Sequence, residues 1–507
     1  MNDNRHTPVP GLLLITFLAV WIHGYHLGVD DAAIYIPGIK KVADPNLYPF
    51  GAEFFQTHAR LSFFPNLVGG FARLTHLPID AAIFAWYVTG IFLLLLASWQ
   101  LLGACFENRS ARWSGVLLLA ATFSVPVAGT ALVIADPYVT ARTLSTPVSM
   151  FAVASFFLGK RRQAVFWLAI TALLHFQMCA YAAGFLLIVV AIRKAASPGK
   201  TGPALSFTGL SALPFLFRLE PARGPAREAL LSRTYFFLSN WAWYEWMGVF
   251  APLALLWWFY RRRFRGTRPA FSELSRGLVV FGLTATAIAA LPSAFRPLEN
   301  YARLQPMRSF HLVYIVLFLL LGGLVGEYAL RAKAWRWCGL FVPLAAGMAC
   351  LPSLSYPASP RVEWPGADCP NPWTRAFFWI RQNTPRDAVF ALDPRYLLLP
   401  GEDTHGFRAL AERSVLADAD KDSGAVSLFP QLADRWKSEV DARRNWANFQ
   451  LADFKTLARR YPISWIVQRR PATAGLACPY QNEALEVCQI PGAPGMQPSE
   501  SRLKADR

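Results

Sequence analysis

Long apolar stretches, separated by short polar clusters, dominate the first 352 residues of the chain. About 17–25 apolar residues cross a bilayer as a helix, and a bent or tilted pair can use shorter pieces. We therefore predict an α-helical polytopic membrane domain with about eleven transmembrane helices. The predicted spans are residues 12–27, 81–106, 113–134, 144–158, 164–174, 178–192, 205–217, 247–260, 278–291, 310–325 and 340–351.

Basic residues follow alternate spans, which sets the predicted orientation. The clusters that begin at Arg109, Lys160, Arg193, Arg261 and Arg331 all fall on one side if the chain is threaded in order. Cytoplasmic loops carry an excess of Lys and Arg, so this side is predicted to be the cytoplasm. Everything after the last span is then predicted to lie outside the cytoplasm.

Two segments differ from the apolar spans. Residues 28–80 are predicted to be a long first external loop with surface helices at 32–43 and 61–74. Residues 353–507 alternate short helical and strand patterns, which predicts a small C-terminal α/β domain outside the cytoplasm. Its predicted helices are 373–382, 407–412 and 432–460, and its predicted strands are 388–392, 414–417, 463–468 and 484–490. The predicted domains are therefore 1–352 and 353–507.

Composition agrees with a membrane protein. The 507 residues are 54% hydrophobic and only 16% charged, which is too apolar for an ordinary soluble protein. The net charge of +18 could indicate a nucleic-acid partner. However, the basic residues lie in short clusters between spans, so no nucleic acid is expected. Cys478 and Cys488 flank a predicted hairpin and could form a disulfide in an oxidising compartment, with Cys369 as an odd third cysteine.

Polar residues predicted at the external membrane boundary are the candidates for chemistry. Each has a structural alternative: the first two acids could cap the next helix, and a histidine between two helices could be a hydrogen-bonded core residue. As a group, charged side chains that border hydrocarbon must pair with one another or line a wet cavity. The set is Asp30, Asp31, His58, Arg60, Asp136, Arg142, His175, Glu299, Arg303, Gln305 and Arg308.

Such a cavity suits the transfer of a group from a lipid phosphate to an acceptor hydroxyl. The leaving phosphate gains negative charge, which arginine side chains or a divalent cation must offset. The acceptor hydroxyl needs a base, and an aspartate within hydrogen-bond reach can serve.

The arrangement resembles the GT-C superfamily, whose members are polyprenyl-phosphate-sugar-dependent glycosyltransferases. The similarity rests on a first helix that ends in Asp30-Asp31, a long external loop with surface helices, many further spans and a terminal domain. The stretch His58-Ala-Arg-Leu-Ser-Phe-Phe-Pro-Asn-Leu-Val is similar to the His-Pro-Pro-Leu-type start of the family's second surface helix, with one proline instead of two. Residues 136–147 and 304–311 resemble stretches of uncharacterised bacterial membrane proteins of this kind.

The resemblance implies specific roles. Asp30 or Asp31 would be the base of an inverting transfer, Asp136 a second acid, and Arg142, Arg303 and Arg308 the phosphate ligands. The substrate site would also contain His58, Arg60, His175, Glu299 and Gln305, and Asp30 with Asp31 could hold Mg²⁺ or Mn²⁺.

The implied donor is a polyprenyl-phosphate-linked sugar and the implied acceptor a lipid, glycan or protein. The implied location is the bacterial inner membrane, with the C-terminal domain periplasmic or extracellular. Two alternatives stay open: a non-enzymatic lipid or solute transporter (a flippase), and a degenerate GT-C-like protein that only binds glycans.

Overall fold

The computed structural model describes residues 8–195 and 222–492. Within these ranges the chain divides into two compact units. Unit 1 comprises Met1–His26, Leu61–Phe64 and Ala81–Ser355, and unit 2 comprises Leu27–Arg60, Pro65–Asp80 and Tyr356–Arg507. Residues 28–80, the predicted first external loop, thus belong almost entirely to the same unit as the C-terminal domain.

The described chain is mostly helical. Its α-helices are α1 (Val9–His23), α2 (Ala32–Ala43), α3 (Glu53–Ala59), α4 (Phe64–Thr75), α5 (Ile79–Cys105), α6 (Arg109–Ala121), α7 (Ala141–Phe157), α8 (Arg161–Leu174), α9 (Phe176–Ala195), α10 (Gly224–Leu231), α11 (Trp243–Arg261), α12 (Pro269–Ala294), α13 (Phe310–Val325), α14 (Ala334–Ser355), α15 (Pro372–Asn383), α16 (Phe407–Ala411), α17 (Lys421–Leu428), α18 (Ala433–Asp441) and α19 (Leu451–Arg460). The strands are β1 (Val389–Ala391), β2 (Ser414–Val415), β3 (Trp465–Arg469), β4 (Ala477–Gln481) and β5 (Leu485–Gln489).

Unit 1 contains the apolar helices. Among the described residues, five helical stretches are long and apolar enough to cross a membrane, and all lie wholly or very largely in this unit. They are Ile79–Cys105, Phe176–Ala195, Pro269–Ala294, Arg296–Leu330 and Ala334–Ser355. This composition supports the prediction of a multi-pass membrane protein. The span predicted at 205–217 lies outside the described residues.

One predicted span is wrong as a single helix. Residues 113–134 were expected to be continuous, but α6 ends at Ala121. The Thr122 hydroxyl donates a hydrogen bond to the Leu118 carbonyl at 2.8 Å. Pro126 has no backbone N–H to continue a helix, and it forms an isolated β-bridge with Val133. The chain from 122 to 140 is therefore irregular, and it carries Asp136.

Glycines allow two helices of unit 1 to approach closely. A Cβ placed on Gly322 of α13 would lie 2.8 Å from the Cα of Gly115 in α6 and 2.8 Å from the Ser114 carbonyl oxygen. Small residues at such crossings let helix backbones pack together in membrane proteins. This contact lies near the C-terminal end of α13 and packs that helix against α6.

Unit 2 contains a five-stranded sheet with the order β2-β1-β3-β5-β4. Strand β1 pairs in parallel with β2 and β3, whereas β5 pairs antiparallel with β3 and β4. The fully buried Phe390, Ile466 and Phe454 belong to its core. The predicted small C-terminal sheet domain is therefore confirmed, and so is the expected disulfide between Cys478 and Cys488.

The helix predicted over 432–460 is wrong. It is interrupted between α18 and α19 by a 3₁₀ turn at Trp446–Asn448. The interruption lets the Trp446 ring pack edge-on against Phe454 in the core, with ring centroids 5.2 Å apart. Strand β4 was not predicted as such, because its edge position and Pro479 weaken the strand pattern.

The first loop contributes three short helices. Helix α2 occupies the predicted range, and α4 continues through Gly69 and Gly70. Helix α3 was not predicted, since seven residues are too few to show a clear helical period. Apart from Phe64, all three belong to unit 2.

Candidate functional site

The first two predicted acids lie on a loop of unit 2 that we call the acidic loop (residues 27–31). Asp30 has a left-handed backbone with φ of 51°. Its N–H donates to the Thr404 carbonyl at 3.0 Å, and the Gly28 carbonyl accepts from the N–H of Gly406 at 2.9 Å. The acidic loop is thus held by backbone hydrogen bonds to residues 402–406, the clasp loop.

A buried histidine connects the clasp loop to a third segment. The ring of His405 contacts Glu363 Oε1 through Nε2 at 2.9 Å and the Glu402 carbonyl through Nδ1 at 2.8 Å. The other oxygen of Glu363 accepts the Leu27 N–H at 2.8 Å. Burial by itself would lower the pKa of His405, but the Glu363 carboxylate outweighs it and the pKa is raised. Glu363 and His405 together therefore fix the start of the acidic loop.

A lysine neutralises the acidic pair. The Lys421 ammonium, at the start of α17, is ion-paired with Asp30 and lies 3.9 Å from Asp31 Oδ1. Burial would lower the pKa of Lys421, but the two carboxylates raise it above its ordinary value. Asp30 still exposes 43% of its side chain.

This arrangement fits a divalent cation poorly, because an ammonium already pairs with the carboxylates that would bind it. Within the described ranges, the one group of three or more potential metal ligands is Cys478, Glu486 and Cys488, and its two cysteines are disulfide-bonded. We therefore derive no catalytic step through a metal ion.

Charged residues also line a cavity beside Lys421. The Arg408 guanidinium donates to both oxygens of Asp422 at 2.8 and 3.0 Å, and both side chains are buried. Burial and the neighbouring Asp422 raise the pKa of Asp418 to about 7. Together with Tyr396 these residues line a cavity with room for about one water molecule. It is too small for a sugar.

The third predicted acid lies in unit 1. Arg142 donates from Nε and Nη2 to Asp136 Oδ2 at 3.1 and 2.9 Å. Both side chains are buried. Arg142 is placed by the first turn of α7, where Thr140 and Thr143 form a reciprocal capping box. The pairing expected between predicted acids and predicted arginines thus occurs here.

The pair lines a cavity with room for about two water molecules. Its polar lining also includes Thr146 and His311, and its apolar lining includes Ile91. His311 Nε2 is bonded to the Ile134 carbonyl at 2.8 Å, and its other ring nitrogen, Nδ1, has no partner among the described residues.

The other two predicted phosphate ligands, Arg303 and Arg308, lie on the 3₁₀ segments between α12 and α13. Arg303 is 8% exposed, and its Nε and Nη2 have no hydrogen-bond partner among the described residues. Arg308 Nε also lacks one, although its guanidinium lies 5.5 Å from the ring centre of Tyr235. The Tyr181 hydroxyl donates to the Gln305 carbonyl at 2.7 Å and so ties α9 to this segment.

Several predicted site residues have structural contacts. Glu299 accepts two hydrogen bonds from Arg227, at 2.9 and 3.0 Å. His175 lies at the break between α8 and α9, as expected for a bent pair. In unit 2, His58 contacts the Tyr35 hydroxyl at 2.9 Å, and Arg60 is exposed at the end of α3.

Sequence reasoning missed residues in both units. Lys421 is 391 positions from Asp30, and nothing in the local sequence around either residue indicates the pair. Glu363 and His405 were missed for the same reason. His311 could have been found, since a histidine one position into an apolar span and three after Arg308 is unusual.

Comparison with known protein families finds a match for part of unit 2. Residues 371–434 match DUF6798, a domain of unknown function. This range includes the clasp loop, Arg408 and Lys421. No curated protein matches the chain.

Proposed function

We propose that the chain is a GT-C-like membrane glycosyltransferase with about eleven spans. It would move a sugar from a polyprenyl-phosphate donor to an acceptor hydroxyl outside the cytoplasm of a bacterial cell. The single observation that carries the proposal is that Arg303, which is buried, and Arg308, which is partly buried, have no carboxylate partner among the described residues.

A buried cation without a counterion is costly, by several kcal/mol in typical proteins. An anionic ligand would remove that cost. The planar guanidinium binds phosphate with two parallel hydrogen bonds. Because the segment that carries both arginines joins α12 to α13, which are apolar enough to cross a membrane, a phosphate with an apolar tail is the anion that suits them.

The disulfide supports the proposed location. Disulfides form and persist in oxidising compartments such as the bacterial periplasm, and Cys478–Cys488 lies in the C-terminal domain. The domain is therefore proposed to lie in the periplasm or outside the cell.

In the proposed reaction the acceptor oxygen attacks the anomeric carbon as the bond from that carbon to the phosphate oxygen breaks. The electron pair leaves with the phosphate, whose charge the arginines offset. The hydroxyl proton passes to a base. Asp30 or Asp31 is proposed for this role from the resemblance, and Asp136 is the candidate acid in the same unit as the arginines.

Lipid binding tests the arginines directly. The full chain in nanodiscs is titrated with undecaprenyl phosphate and with undecaprenol, which lacks the phosphate. We expect Arg303→Gln and Arg308→Gln to weaken binding of the phosphate lipid about tenfold or more, with undecaprenol unaffected. Arg227→Gln is the control, since that arginine pairs with Glu299. Equal binding of both lipids by the wild-type chain would refute the proposal.

Transfer tests the acids. Asp30→Asn, Asp31→Asn and Asp136→Asn are assayed separately for sugar transfer from radiolabelled polyprenyl-phosphate sugars into envelope fractions. Loss of the base is expected to slow transfer by about 10²–10⁴-fold. Unchanged transfer in all three variants would show that none of these three carboxylates is the base. Movement of the lipid across the membrane without any transfer would support a transporter instead.

A further inference from the structure

Two buried polar atoms, on residues that line one cavity of unit 1, lack a hydrogen-bond partner among the described residues. They are His311 Nδ1, at the start of α13, and Thr146 Oγ1, in the second turn of α7. Their side chains are 4% and 5% exposed. Buried polar atoms are nearly always hydrogen-bonded in folded proteins. Two of them at one cavity indicate a polar group that binds between them.

The chemistry of that group follows from the histidine tautomer. His311 Nε2 lies 2.8 Å from the Ile134 carbonyl oxygen, and a carbonyl oxygen can only accept a hydrogen bond. Nε2 therefore carries the ring proton, and neutral His311 offers an acceptor at Nδ1. The Thr146 hydroxyl can donate. A single hydroxyl group matches both, because it donates one hydrogen bond and accepts another.

The size of the cavity limits what can enter. It has room for about two water molecules, which corresponds to one carbon and one oxygen atom. Its lining contains polar residues, including the Asp136–Arg142 ion pair, and apolar residues, including Ile91, Leu94 and Pro147. A hydroxymethyl group has this size and this division between a polar and an apolar atom.

We propose that the cavity binds the hydroxymethyl group of a hexopyranoside. The hydroxyl donates to His311 Nδ1 and accepts from Thr146 Oγ1, and the carbon contacts the apolar residues of the lining. The role of this cavity as the acceptor subsite of sugar transfer rests on the proposed function. Binding of the hydroxymethyl group itself does not require transfer.

A pair of glycosides isolates the hydroxymethyl group. Methyl β-D-glucopyranoside carries it, and methyl β-D-xylopyranoside is the same ring without it. Both are titrated against the full chain in nanodiscs, with ligand-detected NMR as the readout. We expect the wild-type chain to bind the glucoside about tenfold more tightly, which corresponds to one or two neutral hydrogen bonds.

Matched threonine variants identify the site. Thr146→Val removes the hydroxyl and keeps the shape, and the preference for the glucoside is expected to fall to threefold or less. Thr171→Val is the control, because that buried hydroxyl donates to the Trp167 carbonyl of its own helix at 2.8 Å. The preference is expected to persist in the control.

Histidine ¹⁵N spectra give a second readout that does not depend on a variant folding. In chain labelled with ¹⁵N-histidine, the Nδ1 signal of His311 is expected to shift with the glucoside and not with the xyloside. His23 is the control ring, since its nitrogens already contact Ser124 Oγ and the Ala120 carbonyl at 2.7 and 2.8 Å. Its signals are expected to stay in place.

The outcomes separate this inference from the proposed function. If undecaprenyl phosphate binds through the arginines but the two glycosides bind equally, the subsite is refuted and the glycosyltransferase proposal stands. If the glucoside preference depends on Thr146 but the phosphate lipid does not bind, the subsite stands and the proposed function fails. A cavity that holds only water gives no glucoside preference and no shift at His311, and refutes the inference.

Discussion

Replacing Arg408 by methionine is expected to destabilise unit 2 strongly. The substitution leaves the Asp422 carboxylate buried without the guanidinium that now donates to it at 2.8 and 3.0 Å. Removal of one partner from a buried ion pair typically costs about 3–5 kcal/mol. Since Arg408 lies on α16 and Asp422 in the first turn of α17, the loss would loosen the support of Lys421.

The buried thiol of Cys369 can report this change. It belongs to unit 2 and is 7% exposed, so it reacts with an alkylating reagent when the unit opens. The other free cysteines, Cys105, Cys179, Cys338 and Cys350, are replaced by alanine. When closing is faster than alkylation, the rate follows the equilibrium population of the open state. A loss of about 3–5 kcal/mol then accelerates alkylation about 150- to 5,000-fold.

Two further variants show whether the effect comes from the buried pair. Arg386→Met removes an exposed partner of Asp44 in the same unit, and exposed pairs contribute about 0–1 kcal/mol, so alkylation should rise no more than about fivefold. Arg408→Met combined with Asp422→Leu removes both charges and should recover much of the loss. An Arg408→Met rate within fivefold of the wild-type rate would refute the reasoning.

Three other outcomes are expected. Because the pKa of His405 is raised in the folded state, the contribution of this residue to stability is complete below about pH 6.5 and is lost as the pH rises through the folded pKa. The unfolding temperature of Glu363→Gln should therefore change less between pH 6 and 9 than that of the wild-type chain, and an equal change would contradict this. Gly322→Ala should destabilise unit 1 by about 1–3 kcal/mol, since the new Cβ meets backbone atoms of α6 at 2.8 Å, whereas Gly347→Ala meets nothing within 4 Å and should be neutral in the same melts. Replacing Cys478 and Cys488 by serine should cost about 2–3 kcal/mol, for a sequence separation of 10; an unchanged denaturant midpoint would show that the hairpin closes without the bond.

The pattern of apolar residues predicted helices and strands well where burial follows from residues that are neighbours in the sequence. Helix α13 has the predicted bounds of 310–325, α9 and α12 contain their predicted spans, and α5 ends one residue before the end of its predicted span. Strand β1 lies within the predicted 388–392. One failure has a local cause, since α6 stops at Ala121, shortly before Pro126, which has no backbone N–H to continue a helix. The other has a tertiary cause, since Trp446 interrupts a helical stretch to enter the core.

The candidate sites show what only the folded chain decides. Asp30 and Asp136 can each be recognised in the sequence as acids beside apolar spans, but the sequence does not show which cation each of them contacts. One pairs with Lys421, far along the chain, and the other with Arg142 nearby. Hydrophobic periodicity is repeated over many positions and survives a local error, whereas an ion pair depends on which two chain segments meet. The sequence by itself therefore determined most of the apolar helices, the C-terminal sheet domain and the set of candidate charges, and the tertiary structure decided which groups those charges contact.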